Sequence, residues 1–352
     1  MRAHMSRRRL LECTAAGIST LAVPEIVRAQ SATGPAVKDE TFVAVPVSID
    51  VNARPIASFD PRERSRVRFG SLEWRSGLVL TSAFHGFGGL SGLRLDPKGE
   101  KFIALSDKGS WFTGRIVYSG RAMKGLADVE ASPMIGPDDR PITARGWFDS
   151  ESLALDGSFV YVGLERVNQV LRFDFSKGYM RSRGEIVQMP PAVKKLPYNK
   201  GLEALVFVPK GLPLAGTLIA MSERGLDAQG NVVAFLVGGP SPGQFSIRRT
   251  NNFDISDATL LPEGDLLILE RKFSWLAGIG IRIRRVPLAS IAPGAVVDGP
   301  SIFDADLGQE IDNMEGIDAY VTPQGDTVLT MVSDDNFSLL QRTLLLQFTL
   351  VE

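Results

Sequence analysis

Five segments of this 352-residue chain follow one plan. They are "LSGLRLDPKGEKFIALSDKG" from Leu90, "SESLALDGSFVYVGLERVN" from Ser150, "LEALVFVPKGLPLAGTLIAMSERG" from Leu202, "ISDATLLPEGDLLILERKFS" from Ile255 and "MEGIDAYVTPQGDTVLTMVSDDN" from Met314. Each reads as an apolar strand, a tight turn, a second strand and then an acid. The turns "DPKGE", "PEGD" and "PQGD" put proline, with its fixed φ, close to glycine, which accepts positive φ. Equivalent starts lie 60, 52, 53 and 59 residues apart. That is a little longer than the roughly 40–50 residues of common propeller repeats, and it suits a four-stranded blade with its loops.

Most hairpins are followed by two more strand-like stretches, such as "GRIVYSG" with "ADVEASPMI" and "QVLRFDFS" with "RGEIVQMP". The last is followed by only one, "RTLLLQFTL", while "FGSLEWRSGLVLTS" (70–83) precedes the first repeat without a partner. The stretch 70–83 therefore completes the final blade and closes a ring. The expected fold is an all-β propeller of five blades, with residues 38–69 leaving room for a sixth. A solenoid, the alternative, would leave 70–83 unpaired.

The stretch "SRRRLLECTAAGISTLAVPEIVRAQS" has the form of a twin-arginine export signal. Arg7, Arg8 and Arg9 precede a short, interrupted apolar segment, and Val27-Arg28-Ala29 supplies a small-residue cleavage site. The expected organisation is a signal over 1–29, an extension over 30–66 and the propeller over 67–352. The expected location is periplasmic or secreted, after passage through the twin-arginine translocase. Cleavage removes five arginines and two glutamates, leaving 34 basic against 38 acidic residues, a net charge of −4. That balance gives no reason to expect nucleic-acid binding. No stretch reaches the roughly 20 apolar residues of a membrane span. The single cysteine, Cys13, falls in the signal, so the mature chain has no disulfide, thiolate metal site or cysteine nucleophile. Only His85 remains of two histidines, which excludes histidine-rich metal sites.

In a propeller blade the first strand lines the channel and the second runs back beside it. The start of one and the end of the other share a face. Glu151, Glu203 and Glu315 stand at or near first-strand starts; Asp107, Glu165, Glu223, Glu270 and Asp334 stand at second-strand ends, with Asp335 following. A ring of such acids raises its own pKa values unless cations compensate. Arg166, Arg224 and Arg271 follow three of the terminal glutamates, and Lys108 follows Asp107. The acids and cations read either as inter-blade salt bridges or as a functional cluster holding a metal. Oxygen-only donors favour Ca2+, or Mg2+, over zinc or copper. "GGLSGL" is not a nucleophile elbow, so His85 and Ser91 do not read as a serine hydrolase pair. No glycine-rich phosphate loop occurs. Trp111 and Trp275 follow second strands and would border a pocket or pack between blades.

The ordered stations "GGLSGL", "SESLAL", "LEAL", "SERG", "LLILERKF", "MEGI" and "SDDNF" resemble the phytase-like family described by "esterase-like activity of phytase", over roughly residues 67–350. The resemblance implies a β-propeller in which repeated Glu and Asp residues hydrolyse a small-molecule phosphoester, with Ca2+ by analogy to propeller phytases. In that reading Glu203 or Glu223 orients the attacking water, and Lys108, Arg166, Arg224 and Arg271 bind phosphate. Ser91 and Ser256 stand where the other repeats have glutamate. A non-catalytic binding propeller and a calcium-dependent lactonase or carboxylesterase are the alternative readings.

Overall fold

The computed structural model describes residues 45–274 and 278–351. The expected signal, Cys13 and Trp275 lie outside the described residues. Among the described residues, regular structure consists of strands and short 3-10 turns, arranged as five sheets that are antiparallel except where Val296–Val297 joins Gly243–Ile247 in parallel. Blade 1 runs outward from Leu90–Leu95 through Lys101–Ser106 and Ser110–Ser119 to Ala122–Pro133. Blades 2, 3 and 4 begin at the channel with Ser150–Asp156, Leu202–Phe207 and Asp254–Leu260. Blade 5 begins with Asn313–Val321. Neighbouring inner strands contact each other all the way round, including blade 5 against blade 1, which makes the ring a β-propeller.

Ring closure falls where the sequence places it. Leu72–Ser82 pairs antiparallel with Thr343–Leu350, the third strand of blade 5. Residues 38–69 hold no sixth blade among the described residues. Val51–Ile56 adds an outermost strand to blade 5, and Val47–Ser48 adds one to blade 1. The N-terminal strands thus strap the seam between the last blade and the first.

Inner strands flanked by blades on both sides should be apolar throughout, and five buried hydrophobic clusters occupy the five seams. Trp111 packs in the seam between blades 1 and 2, its ring 5.1 Å from that of Phe173, fully buried. It serves blade packing.

The channel itself is locked at mid-depth. Arg94 of blade 1 donates from Nη1 to Asp257 Oδ2 (2.8 Å) and from Nη2 to Asp257 Oδ1 (3.1 Å). The same guanidinium also donates to the carbonyls of Leu205, Ala258 and Ile317. One side chain thereby ties blade 1 to blades 3, 4 and 5. The planar fork of arginine suits this, since it satisfies several acceptors at once with little loss of rotamer freedom.

Candidate active site at the acid mouth of the channel

One local irregularity recurs in all five inner strands. The register against the second strand shifts at Leu90/Gly92, Leu202/Ala204, Ile255/Asp257 and Met314/Gly316, and opposite Gly163/Leu164 in blade 2. The residue skipped in each ladder is Ser91, Glu151, Glu203, Ser256 or Glu315. A bulge leaves one residue unpaired and re-aims its side chain, and bulges concentrate beside active sites. Here the five bulges set three glutamates and two serines at the repeated station.

Counting from the bulges also fixes the outer stations. Ser222 pairs with Leu202 and Ser333 with Met314, so the next residues, Glu223 and Asp334, are equivalent. By the same register Leu164 pairs with Ser150 and Ser106 with Leu90, which makes Glu165 and Asp107 equivalent too. In blade 4 Glu270 pairs with Ile255, so the equivalent station is Arg271. A one-residue slip moves a strand side chain to the opposite face. Glu270 therefore does not join the other acids; it is buried and accepts from Arg282 Nε (2.7 Å) and Arg284 Nη2 (2.5 Å).

The remaining acids converge. Asp107, Glu151, Glu165, Glu203, Glu223, Glu315 and Asp334 line a polar cup of about 190 Å3, together with Asp149, Asn313, Lys200 and Arg271. Two cations line the cup with the seven station acids, and a third, Lys108, holds Asp107 from outside it. Arg271 projects among the acids: Nη1 is 3.1 Å from Glu315 Oε1, and Nη2 is 3.5 Å from Glu203 Oε1 and 3.6 Å from Glu223 Oε1. Nη1 also donates to Asn313 Oδ1 at 2.7 Å, while the buried Nε has no partner. Lys200 Nζ donates to Glu223 Oε2 at 2.5 Å. Asn313 Nδ2 donates to Glu315 Oε1 at 2.8 Å, and the Gly201 N–H donates to Glu165 Oε1 at 2.9 Å.

Three cations do not satisfy seven acids. Burial, and then repulsion among neighbouring carboxylates, pushes Glu151 and Glu203 well above the usual range. Burial pushes Glu315 up to about 8, with Arg271 pulling the other way. It pushes Glu165 to about 7, where the Glu223 charge adds to the rise, and Asp334 to about 7. Asp107 is raised as well, by burial, although Lys108 counters it. Burial works against the Arg271 charge, but the four glutamates around it outweigh that and its pKa rises.

Other sequence candidates sit outside the cup. Asp335 pins loops, accepting from the Gly89 N–H (3.0 Å), the Phe337 N–H (3.0 Å) and Thr343 Oγ1 (2.9 Å). Gly89 is obligatory there: its φ is +59° and a Cβ would fall 2.2 Å from Asp107 Oδ1. Arg166 pairs with Asp149 at 2.8 Å, half-exposed at the rim. Arg224 pairs with Asp254 and lines a neighbouring cavity. Lys108 holds Asp107 at 3.1 Å. Ser91 is buried and donates to the Ser150 carbonyl at 2.5 Å, whereas His85 is exposed, so the two form no catalytic pair. Lys200 and Asn313 were not legible as site residues, since neither belongs to the repeated acid pattern.

Among the described residues no group of three or more His, Cys, Asp or Glu side chains is already gathered to hold a metal ion. The donor chemistry nevertheless fits a hard cation, being all oxygen and short of positive charge.

Fold and site together define a five-bladed β-propeller whose channel opens into a buried carboxylate cup. The chain belongs to the phytase-like family described by esterase-like activity of phytase, whose model matches residues 85–337. No curated protein matches the chain significantly. Among solved structures it is similar to glutaminyl cyclase from Myxococcus xanthus, at 12% identity and TM-score 0.38, covering 75% of this chain and 92% of that one. It is also similar to the PQQ-bound aldose sugar dehydrogenase from Streptomyces coelicolor, at 13% identity and TM-score 0.37, covering 78% and 97%. A protein of unknown function from Bacteroides caccae is a third, at 10% identity and TM-score 0.31, covering 68% and 67%.

Proposed function

We propose that the protein is an exported, metal-dependent phosphoester hydrolase working at the acid cup. The observation that carries this reading is the charge imbalance at repeated stations, in a chain of the phytase-like family. Glu151, Glu203 and Glu315, with Asp107, Glu165 and Asp334, would hold a calcium ion, or magnesium in its place. Such an ion, when bound, polarises a phosphoryl oxygen and makes a bound water more acidic.

The chain's own groups supply the rest. With a cation holding the cup's carboxylates ionised, Glu203 would accept a proton from the attacking water, and Glu223, anchored by Lys200, would orient that water. The water oxygen bonds to phosphorus as the ester P–O bond breaks. The leaving alkoxide takes its proton from solvent water at the mouth of the cup, so the proton taken up at Glu203 is matched by one delivered to the leaving group. Arg271 and Lys200 offset the charge gathering on the phosphoryl oxygens.

The test is an assay of purified protein on a phosphomonoester, a phosphodiester and a carboxylester, with calcium and with chelator. Phosphoester turnover should vanish on chelation, and Glu203→Gln should lower kcat on the order of a hundredfold. Turnover of carboxylesters alone would transfer the same cup to lactonase or carboxylesterase chemistry, and binding without turnover would make it a ligand-binding propeller. Export belongs to the reading: with Arg7 and Arg8 both changed to lysine, the protein should stay in the cytoplasm. Undiminished export of that variant would overturn the twin-arginine route.

A further inference from the structure

A second cavity, of about 600 Å3, adjoins the cup over blade 4 and shares Lys200, Glu223, Arg271, Asn313 and Asn336 with it. The volume lies within the range of small-molecule sites. The two spaces differ in charge and in polarity. Around the cup stand eight carboxylates and two cations; around the side cavity stand three carboxylates and four cations, Lys200, Arg224, Arg271 and Lys272. The cup has almost no apolar lining, whereas Phe273, Ile279, Leu307 and Leu340 all line the side cavity. Leu307 is 61% exposed and Leu340 is 94% exposed. Leucines scattered singly on a surface need no explanation, but exposed leucines that line a cationic cavity next to a reactive site do.

We infer that this side cavity is the subsite for the organic group of the substrate, and that the group it takes is apolar. The inference rests on the phosphoester reading and narrows it. The ester's phosphoryl group sits at the junction, between Arg271 and Lys200, where the two spaces share residues. Its organic group then extends over blade 4 and covers Leu307 and Leu340. A substrate bearing several phosphates would set charge against the apolar lining, while an aryl or alkyl monophosphate removes that lining from water.

The experiment is calorimetric titration of the full chain, in saturating calcium, with 1-naphthyl phosphate, glycerol 2-phosphate and 1-naphthol. The two phosphates carry the same charge and differ in the organic group. Naphthyl phosphate should bind about tenfold more tightly than glycerol phosphate. In the Leu307→Ser, Leu340→Ser double variant that preference should collapse to within about twofold, with glycerol phosphate affinity and melting temperature unchanged. Both leucines are exposed, so the variant should fold. Naphthol that binds wild type but not the variant would support the apolar subsite even if no phosphoester were turned over, and in that case the phosphoester reading alone would fail. Equal affinity for the two phosphates, a preference that survives in the variant, or no binding of any naphthyl compound would overturn the inference. Hydrolysis of glycerol phosphate alongside such a result would leave the phosphoester reading standing.

Discussion

The same five inner strands place buried charge at two depths of one channel, and they treat it in opposite ways. At mid-depth Asp257 meets Arg94 through both oxygens and accepts the Ile317 N–H at 2.9 Å besides. Asp318 beside it accepts from the Leu95 N–H (2.7 Å) and Thr259 Oγ1 (2.9 Å). Burial raises Asp257, yet Arg94 is the first force pulling against it. At the mouth, by contrast, the forces that follow burial for Glu151 and Glu203 are other carboxylates. A buried charge with every partner in place holds blades together. A buried charge without partners is a demand that a proton or a cation must meet.

The contrast breaks most visibly at the lock. Arg94→Met leaves Asp257 buried without its counter-charge, which should cost roughly 3–5 kcal/mol. Denaturant unfolding should show that loss, and adding Asp257→Asn to the same chain should recover part of it. A loss under about 1 kcal/mol would mean that the lock is dispensable.

At the mouth the effect is smaller and depends on pH. Carboxylates whose folded pKa is raised bind more protons in the native state than in the unfolded one. Their contribution is therefore fully present below about pH 4.5 and is lost as pH rises through 7 to 8, the range of Glu165, Asp334 and Glu315. In chelator, melting temperature should fall between pH 5 and pH 8, and Glu315→Gln should flatten the fall. A melting temperature that rises over that interval would contradict the uncompensated cup. The smallest effect belongs to the rim. Arg166→Ala removes a half-exposed pair with Asp149 and should change stability by about 1 kcal/mol or less in thermal unfolding.

Much of this arrangement is legible in the sequence, because a repeat writes its architecture five times. Hairpin spacing, turn residues and the unpartnered stretch 70–83 point to five blades and to the closing strand. The acids at strand starts and ends point to a shared face. What stays hidden is register. "LERV", "SERG" and "LERK" look alike, yet in blade 4 the arginine and not the glutamate occupies the station, since pairing with Ile255 turns Glu270 toward Arg282 and Arg284. Turn lengths differ among blades, so spacing alone does not carry that single-residue shift. Arg94, in "GLRLD", sits where an outward-facing arginine would be unremarked; only the ring puts it opposite Asp257. Lys200 comes from a loop with no periodicity.

The central claim is that the cup carries unmet negative charge that a divalent cation answers. The direct measurement is the melting temperature of the wild-type protein at pH 8 across a calcium titration, beside Glu203→Gln. A ligand confined to the folded state stabilises it by about 2.7 kcal/mol at a hundredfold excess over Kd. The account predicts a rise in melting temperature that saturates with calcium in the wild type and is blunted in Glu203→Gln. A flat wild-type titration would contradict it, and would leave Arg271, Lys200 and Lys108 as the cations that the acids are built to hold.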